Sequence, residues 1–364
     1  MLSRVGIFGN AAIDQYVSAQ TVCRKDDRVY ITLEDGTDMS FAAPPDVSKV
    51  TLEQVPSSLR QSVRKTKPGG GAVNSTIAAH AIRAKHNIDG SEIRCLDANE
   101  RDRFLESEIP SPIRWLGLRP APCNYVLGDR NDKLIVRSKI AEARDLSARQ
   151  MREVDWLCDS RAVLLNSPKD EAPVAAVFDR KSVLDFEVLT VLTPSLSARF
   201  QRDVVIPRSN VLIGAWDELD FLVGNNSVTV QGAAVSAARL RAWGGAEIHV
   251  TMGGRGVLSV GVGSSEFWHI ELKPEVSTSV GQFIARRPEN LCGAGDAFAG
   301  GLLMERAFRR SLLSGFSLSH AFPSHVQAAL AGCVSALDRI GFRPVTPNDF
   351  RVVPLTALVL ARAS

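Results

Sequence analysis

The sequence lacks several patterns that would indicate other chemistries. No Gly-Lys dipeptide occurs, which excludes a Walker A loop, and no Gly-x-Gly-x-x-Gly occurs, which argues against a dinucleotide-binding dehydrogenase. The Gly-x-Ser-x-Gly elbow of many hydrolases is also missing. The six histidines show no metal-ligand spacing with acidic partners, so we expect no zinc site.

Long apolar runs and paired cysteines are missing as well. No apolar run approaches the roughly 18 residues that span a bilayer, so we expect no membrane partner. The start, MLSRVGIFGN, leads directly into a strand-like segment without the features of a signal peptide, which favours a cytoplasmic location. The six cysteines form no Cys-x-x-Cys pair, so we expect reduced thiols that mostly fill core space.

The composition is that of an ordinary globular protein. Hydrophobic residues make up 45% and charged residues 23% of the 364 residues, close to the average for soluble domains. The net charge of +3 is too small to indicate a nucleic-acid surface, and no Lys/Arg cluster is interleaved with aromatic residues. We therefore expect no nucleic-acid partner.

The chain alternates between short apolar runs and helical periodicities, which is typical of a sheet with crossover helices. An apolar stripe from Val326 to Leu337, followed by Gly341, indicates an amphipathic helix with a glycine at its end. The pattern predicts strands at Val5 to Gly9, Ala162 to Leu165, Ser182 to Phe186, Asn210 to Ile213, Ala246 to Thr251 and Gly256 to Val260.

Two hairpins interrupt this rhythm. The segment from Arg28 to Ala42 carries Asp35-Gly36 between two β-like runs, and the segment from Cys123 to Ser138 has a polar turn between CNYVL and KLIVRS. Two hairpins inserted into an α/β frame suggest a small β lid. The polar stretch from Pro44 to Pro68 is interpreted as connecting structure.

The most informative stretch is Gly293-Ala294-Gly295-Asp296, which leads into the helical pattern AFAGGLLMERAF. Main-chain N–H groups of such a glycine turn converge on an anion, and the helix dipole adds about half a positive charge there. A carboxylate in the same turn is placed to take a proton from a hydroxyl that attacks phosphorus. Ordinary N-terminal capping of the helix is the alternative.

Three further candidates are weaker. Gly69-Gly70-Gly71 precedes Asn74 and a helix, and it fits either a ligand-hydroxyl site or a flexible loop with Asn74 as N-cap. Asp14 follows the first strand and fits either vicinal hydroxyls or a solvated turn. The turn from Thr251 to Gly256 follows a strand and fits either a nucleotide border or a plain hairpin.

Together, these stretches resemble the ribokinase or PfkB-type carbohydrate kinase family. The resemblance implies a ribokinase-like three-layer α/β/α sandwich with a small β-sheet lid, as a single domain over residues 1–364 with the lid at about 16–42 and 118–138. The implied activity is ATP-dependent phosphorylation of a hydroxyl of a sugar or sugar-like molecule with Mg²⁺, and the implied assembly is a homodimer through the lid. The implied site residues are Asp296 as general base with Gly293, Ala294 and Gly295 as anion hole, Asp14, Gly69, Gly70, Asn74 and Asn166 for the substrate, and Thr251, Gly253 and Gly256 for the nucleotide.

The sequence also departs from the family pattern. Asn290-Leu291 replaces the usual Asp-Thr, which argues against the monovalent-cation site of the family. The Asn-x-x-Glu motif begins with Ala215 and keeps only Glu218, the residue expected to act on Mg²⁺ through water. Asn166 stands where some members carry a substrate-contacting glutamate, and the usual glycine-rich stretch is absent around 88–104.

Two other functions fit the same residues. One is a nucleoside kinase of the same family, since glycine turns and an asparagine suit sugars and nucleosides alike. The other is a sugar- or nucleoside-binding regulatory protein that has lost efficient catalysis, which the changes at Asn290, Leu291 and Ala215 motivate. The retained Gly293, Gly295 and Asp296 favour an enzyme, because sugar binding alone requires no phosphate-binding turn.

Overall fold

The structure is a computed structural model that describes residues 3–42, 49–52, 54–88, 90–111, 113–128, 133–138, 145–224, 229–286, 293–308, 322–342 and 344–355. The strands in these ranges are β1 (Ser3–Gly9), β2 (Ala12–Val17), β3 (Ala19–Lys25), β4 (Arg28–Leu33), β5 (Asp38–Ala42), β6 (Lys49–Leu52), β7 (Val63–Gly69), β8 (Ser91–Asp97), β9 (Ile113–Trp115), β10 (Cys123–Gly128), β11 (Lys133–Ser138), β12 (Ala162–Asn166), β13 (Glu187–Val191), β14 (Val211–Ala215), β15 (Glu247–Thr251), β16 (Val257–Val260), β17 (Phe267–Leu272) and β18 (Phe350–Leu355).

The α-helices in the same ranges are α1 (Ser57–Gln61), α2 (Gly71–Lys85), α3 (Arg103–Glu108), α4 (Ala148–Cys158), α5 (Glu171–Lys181), α6 (Ala198–Phe200), α7 (Ile206–Arg208), α8 (Trp216–Val223), α9 (Val230–Ala242), α10 (Pro274–Arg286), α11 (Ala294–Phe308) and α12 (Ser324–Ile340). No helix in the described part of the chain combines the length and the apolar character that crossing a membrane requires.

Ten strands form the main sheet, in the order β18-β17-β16-β15-β14-β13-β12-β1-β8-β9. The pairs from β9 to β15 are parallel, and those from β15 to β18 are antiparallel. Parallel strands that are covered on both faces are apolar along their whole length, and every residue of β12 (AVLLN) is buried. Because the strands from β9 to β15 run in the same direction, their carboxyl ends meet at one edge of the sheet, where α/β proteins bind ligands.

Helices cover both faces of the main sheet and complete three layers. On one face α4 and α5 pack through Leu157 and Phe178, together with α9. On the other face α2, α11 and α12 pack together, with Leu302 and Leu330 in their shared core. The second face matters for the site, because α2 and α11 both begin at the carboxyl edge of the sheet.

Two smaller sheets form a lid beside this edge. One has five strands in the order β6-β11-β10-β2-β7, and the other has three in the order β3-β4-β5. Their facing sides share an apolar core in which Val29 and Ile31 of the small sheet join Leu127 and Val136 of the larger one. We call these two sheets the lid, and its own core makes it a separate packing unit.

Most of the predicted elements are confirmed. The predicted α/β class is correct, five of the six predicted strands form within two residues of the predicted bounds, and Gly341 ends α12 in a left-handed conformation. β4 pairs with β5, and β10 with β11, as antiparallel hairpins. The turn 129–132 of the second hairpin lies outside the described residues.

Two interpretations were wrong. The segment from Ser182 to Phe186 is no strand, because α5 runs to Lys181 and the strand starts at Glu187. Val183 is 79% exposed in this turn, so its apolar character misled the pattern. The segment from Pro44 to Pro68 is more than a connection, since it supplies β6, α1 and β7, and its polar residues suit strands with one solvent-facing side.

Candidate active site

Asp296 lies in the first turn of α11, directly after a tight turn at Gly293. Gly293 has φ +81°, a left-handed conformation that favours glycine. Its carbonyl accepts the N–H of Ala297 at 2.9 Å, which starts the helix. Because α11 has 15 residues, its amino end offers main-chain N–H groups and about half a positive charge beside the carboxylate.

Two amide side chains hold this carboxylate. Nδ2 of Asn74 donates to Oδ2 of Asp296 at 2.9 Å, and Nδ2 of Asn166 donates to Oδ1 at 3.2 Å. The hydroxyl of Ser75 donates to the Asp296 carbonyl at 2.7 Å. We call the Asn74–Asp296–Asn166 arrangement the carboxylate clamp. It fixes the orientation of Asp296 relative to α2 and β12.

Glycine turns place Asn74 within the clamp. Gly70 is the N-cap of α2 with φ +85°, and a Cβ there would overlap the main chain of Asn10 and Ala12. At the other side of Asn74, a Cβ on Gly293 would lie 2.7 Å from Cγ of the amide. The amide therefore fills the space directly beneath the turn of α11, and neither glycine tolerates a side chain.

Asn166 lies behind the site wall. Its side chain is fully buried, and its Nδ2 also lies 2.6 Å from Oγ of Ser75 and 3.1 Å from the carbonyl of Gly71. A Cβ on Gly71 would lie 2.8 Å from this amide, so the third glycine makes room for it. The sequence interpretation placed Asn166 on the substrate, whereas these contacts orient Asp296.

A cavity of about 210 Å³ opens in front of the clamp, and most of its wall is polar. It lies where the carboxyl ends of β1, β12 and β13 meet the lid. We call it the polar cavity, and its described lining residues are Asn10, Ala12, Asp14, Gly70, Gly71, Asn74, Asn124, Ile135, Ser167, Lys169, Thr193, Ser195, Gly293 and Asp296.

The lid contributes Asp14 and Asn124 to this wall. These residues face each other across the parallel pair of β2 and β10, and Nδ2 of Asn124 donates to Oδ1 of Asp14 at 2.8 Å. Only 8% of Asp14 is exposed. A Cβ on Gly69 would overlap the Asp14 carboxylate, so Gly69 acts as a spacer for Asp14.

A buried carboxyl supports the floor of the polar cavity. Asp97, at the end of β8, is fully buried and accepts the N–H groups of Ala11 and Asn99. Burial raises its pKa to about 7, although these two hydrogen bonds act in the opposite direction. Asp97 thereby fixes the residues between β1 and β2, next to Asn10.

A second cavity, of about 220 Å³, lies on the other side of the α11 turn and is mostly apolar. We call it the apolar cavity. The glycine turn between β15 and β16 forms one border, and Ala294 and Gly295 form the border with the clamp. Its described lining residues are Thr251, Gly253, Gly254, Gly256, Val257, Leu272, Val280, Ile284, Ala294, Gly295, Phe298, Cys333, Ala336, Leu337, Ile340 and Phe350.

A family model described as the pfkB family carbohydrate kinase matches residues 122–322, just over half of the chain. The chain belongs to the pfkB family of carbohydrate kinases. No curated protein sequence matches it.

Solved structures of ribokinases and of a phosphofructokinase share this fold. The chain is similar to Arabidopsis thaliana ribokinase in complex with ribose and ATP, with 12% identity and a TM-score of 0.57 over 100% of this chain and 99% of that one. It is also similar to phosphofructokinase-2 from Escherichia coli in complex with fructose-6-phosphate, with 11% identity and a TM-score of 0.58 at the same coverage. Ribokinase from Thermotoga maritima, with 12% identity and a TM-score of 0.55, covers 100% of this chain and is itself 99% covered. At these identities the likeness concerns the fold.

The residues implied by the pfkB resemblance fall into two groups that meet at α11. One group lines the polar cavity, and the other lines the apolar cavity, while Gly69 and Asn166 support the walls from behind. The first group is Asp14, Gly70, Asn74, Gly293 and Asp296, and the second is Thr251, Gly253, Gly256, Ala294 and Gly295.

The retained glutamate of the pfkB metal motif fits an indirect magnesium role. Glu218 lies in the first turn of α8, which starts after Ala215, and Ala215 pairs with Thr251 at the border of the apolar cavity. Among the described residues, no group of three or more His, Cys, Asp or Glu side chains is arranged to hold a metal ion. Mg²⁺ is usually held by one or two carboxylates, waters and substrate phosphates, and Glu218 would supply one such carboxylate.

Asn290 and Leu291, the departures at the start of the pfkB signature, lie outside the described residues. Several wall residues were missed, among them Asn10, Ser167 and Lys169. The first follows β1 and the other two follow β12, so their positions after strand ends were a usable signal. Asn124 gave none, because its place opposite Asp14 depends on the pairing of distant strands.

Proposed function

We propose that this protein transfers the γ-phosphoryl group of ATP to a hydroxyl of a sugar or sugar-like molecule, with Asp296 as the general base. The observation that carries the proposal is the place of the α11 turn between the two cavities. Gly293 and Asp296 line the polar cavity, and Ala294 and Gly295 line the apolar one. A base at this junction is within reach of a hydroxyl on one side and a phosphate on the other.

The polar cavity suits an acceptor with several hydroxyls. Asp14 accepts hydrogen bonds, and Asn124 both donates and accepts them. The described lining residues include no aromatic side chain, which favours a sugar over a nucleoside, because bases commonly stack on aromatic rings. Lys169 on the same wall makes sugar phosphates and sugar acids worth including in the acceptor screen.

The apolar cavity suits the base and ribose of ATP. Leu337 and Ile340 offer aliphatic surface, and the turn at Gly253 and Gly256 allows close approach of a ligand to the main chain. With the nucleotide in this cavity, its phosphates reach Ala294 and Gly295 at the positive end of α11.

In the proposed reaction, Asp296 takes the proton of the acceptor hydroxyl as its oxygen attacks the γ-phosphorus and the bond to ADP breaks. The N–H groups of the Gly293–Gly295 turn stabilise the charge on the transferring group. Mg²⁺ held through water by Glu218 would offset phosphate charge. The lid keeps water away from the reacting atoms.

The alternative of a binding protein without catalysis is less consistent with the clamp. A sugar-binding site requires donors and acceptors around hydroxyls, but it does not require a carboxylate fixed at the amino end of a helix. The clamp fixes Asp296 at both oxygens by Asn74 and Asn166. A carboxylate held in one orientation by two hydrogen bonds favours the role of general base.

A homodimer through the lid remains a prediction. One side of the five-stranded sheet already packs on the three-stranded sheet of the same chain, with Ile31 and Leu127 in the shared core. A dimer would have to use another surface of the lid. Light scattering after size-exclusion chromatography measures whether the chain associates.

The test of the proposed function is an ATP-consumption screen across sugars, sugar phosphates, sugar acids and nucleosides, with Asp296→Asn as the blank. General bases contribute about 10²- to 10⁴-fold in rate, so we expect kcat with the working acceptor to fall by that factor. Asp203→Asn, which changes an exposed carboxylate paired with Arg202, is the matched control and should keep full activity. A loss below about tenfold in Asp296→Asn would remove Asp296 from the role of base.

A further inference from the structure

Arg339 reaches the carboxylate clamp from the last turn of α12. Its Nη2 donates to Oδ1 of Asn74 at 3.2 Å, although the two residues are 265 positions apart in the chain. The Nε atom of Arg339 is buried and has no hydrogen-bond partner within the described part of the chain. Because the guanidinium of Arg339 is half-buried, solvent screens its interaction with Asn74 less than it would screen that of a surface charge.

The contact determines which way the Asn74 amide points. A guanidinium only donates hydrogen bonds, a carboxylate only accepts them, and an amide has one end of each kind. Oδ1 of Asn74 faces Arg339, so Nδ2 faces Oδ2 of Asp296 at 2.9 Å. The reversed amide would place an N–H₂ group against the guanidinium and an oxygen against the carboxylate.

Packing leaves the amide little freedom besides this flip. It lies directly beneath Gly293, where even a Cβ would come within 2.7 Å of its Cγ. The choice between the two flipped orientations therefore depends on the groups at its two ends, Arg339 and Asp296. Removing Arg339 therefore removes the contact that favours the orientation in which Nδ2 of Asn74 donates to Asp296. In the reversed orientation, Oδ1 of Asn74 would repel the Asp296 carboxylate.

We propose that Arg339 is a positioning residue for the phosphoryl transfer, acting through Asn74 on Asp296. This inference rests on the proposed function, since it matters only if Asp296 is the base. Arg339 lines neither cavity among the described lining residues, so its effect belongs on the chemical step and not on the affinity for either substrate.

The neighbouring residue provides a matched control. Asp338 pairs with Lys85 at 2.7 Å, and this ion pair joins the same two helices, α12 and α2, as the contact from Arg339 to Asn74. Both of its side chains are more than a third exposed, and Lys85 is at the opposite end of α2 from the clamp. Asp338→Asn thus removes a bridge between α12 and α2 without touching Asn74.

The experiment compares steady-state kinetics of Arg339→Met, Arg339→Lys and Asp338→Asn with the acceptor found in the screen. A charge-assisted hydrogen bond of this kind corresponds to about 10- to 100-fold, so we expect kcat of Arg339→Met to fall by that factor. The KM values for ATP and acceptor should stay within about threefold. Arg339→Lys, which keeps a charged donor, should recover part of the rate, and Asp338→Asn should lose less than twofold.

A double mutant separates positioning from a general structural effect. If Arg339 acts through Asn74, Arg339→Met adds no further loss in an Asn74→Ala background. Additive losses, an unchanged kcat in Arg339→Met, or an equal loss in Asp338→Asn would each overturn the inference. If Asp296→Asn keeps its activity, the proposed function fails instead, and the two failures are thereby distinguished.

Discussion

The two cavities on either side of the α11 turn are similar in volume, at about 210 and 220 Å³, but differ in how their walls are built. In the polar cavity, Asp14, Asn74 and Asp296 are held by hydrogen bonds to other side chains. The apolar cavity is lined mainly by apolar side chains, both aliphatic and aromatic, and by a glycine turn. Hydrogen bonds impose direction, whereas apolar burial does not.

This difference teaches how the site divides recognition and chemistry. Under the proposed function, the polar cavity selects the acceptor by the positions of its hydroxyl groups, so single changes there should affect the acceptor or the rate. The apolar cavity would hold the nucleotide by burial, so changes there should affect nucleotide affinity and should be graded by volume. The α11 turn lines both cavities. A change in this turn should therefore affect both the acceptor side and the nucleotide side.

Among the changes that test this comparison, Gly293→Ala is therefore expected to have the largest effect. The residue has φ +81°, and the new methyl group would lie 2.7 Å from Cγ of Asn74, so the clamp must move. We expect kcat to fall by about 10²- to 10³-fold, the range seen when one donor of an oxyanion site is lost. Gly281→Ala is the control, because its methyl group meets no atom within 4 Å in α10. A kcat within threefold of the parent protein would contradict this account.

Asp14→Ala sharpens the comparison from the acceptor side. Hydrogen bonds to a charged group are worth about 1.5–3 kcal/mol, so acceptor affinity should fall by about 10- to 100-fold. ATP affinity should change by less than twofold, because Asp14 lines only the polar cavity of the two. Calorimetry with each ligand separately measures both. Asp38→Ala is the control, because Asp38 is an exposed aspartate of the lid that is hydrogen-bonded to Thr32. Equal losses of affinity for both ligands would show that the two subsites are assigned wrongly.

Asp97 tests whether the floor of the polar cavity carries an electrostatic cost. Its pKa is raised from 3.8 to about 7, so its contribution to the free energy of unfolding is full below pH 4 and is lost as the pH rises through 7. From pH 5 to pH 7 this loss is about 2 kcal/mol, at roughly 1.4 kcal/mol per pKa unit. Asp97→Asn should remove it, as urea unfolding at the two pH values measures. Parallel pH dependences in both proteins would show that Asp97 titrates at its ordinary pKa.

The smallest effect is expected in the apolar cavity. Ala336→Phe places a ring in the space assigned to the nucleotide, and we expect the KM for ATP to rise by about fivefold, a change of about 1 kcal/mol. The KM for the acceptor should stay unchanged, since Ala336 lines only the apolar cavity of the two. Ala336→Ser keeps the volume nearly constant and serves as control. A larger change in the acceptor KM than in the ATP KM would exchange the roles of the two cavities.

Local features of the sequence predicted the parts of the site that are built locally. The glycines at 293 and 295 and the helical pattern after them predicted where α11 begins and where Asp296 lies. The roles of Asn166 and Arg339 were not predictable, because they reach Asp296 and Asn74 across 130 and 265 positions. Such contacts depend on how α12 and β12 pack, which no local pattern encodes.

The same limit applies to the fold. The hairpins around Gly36 and after Cys123 were predictable because turn residues separate alternating runs. The strand at Lys49–Leu52 was missed, since its four residues gain their stability from pairing with β11 and not from their own pattern. The strand placed at Ser182 to Phe186 was wrong because an exposed turn can be apolar.

The wall of the polar cavity is divided between the lid and the helices on the main sheet, which has a consequence for lid closure. Asp14 and Asn124 belong to strands of the lid, whereas Asn74 and Asp296 belong to helices that pack on the main sheet. Under the proposed function, a sugar whose hydroxyls bond to both pairs would link the lid to the helices on the main sheet. The described lining of the apolar cavity includes no residue of the lid, so we expect the acceptor, and not ATP, to favour closure of the lid.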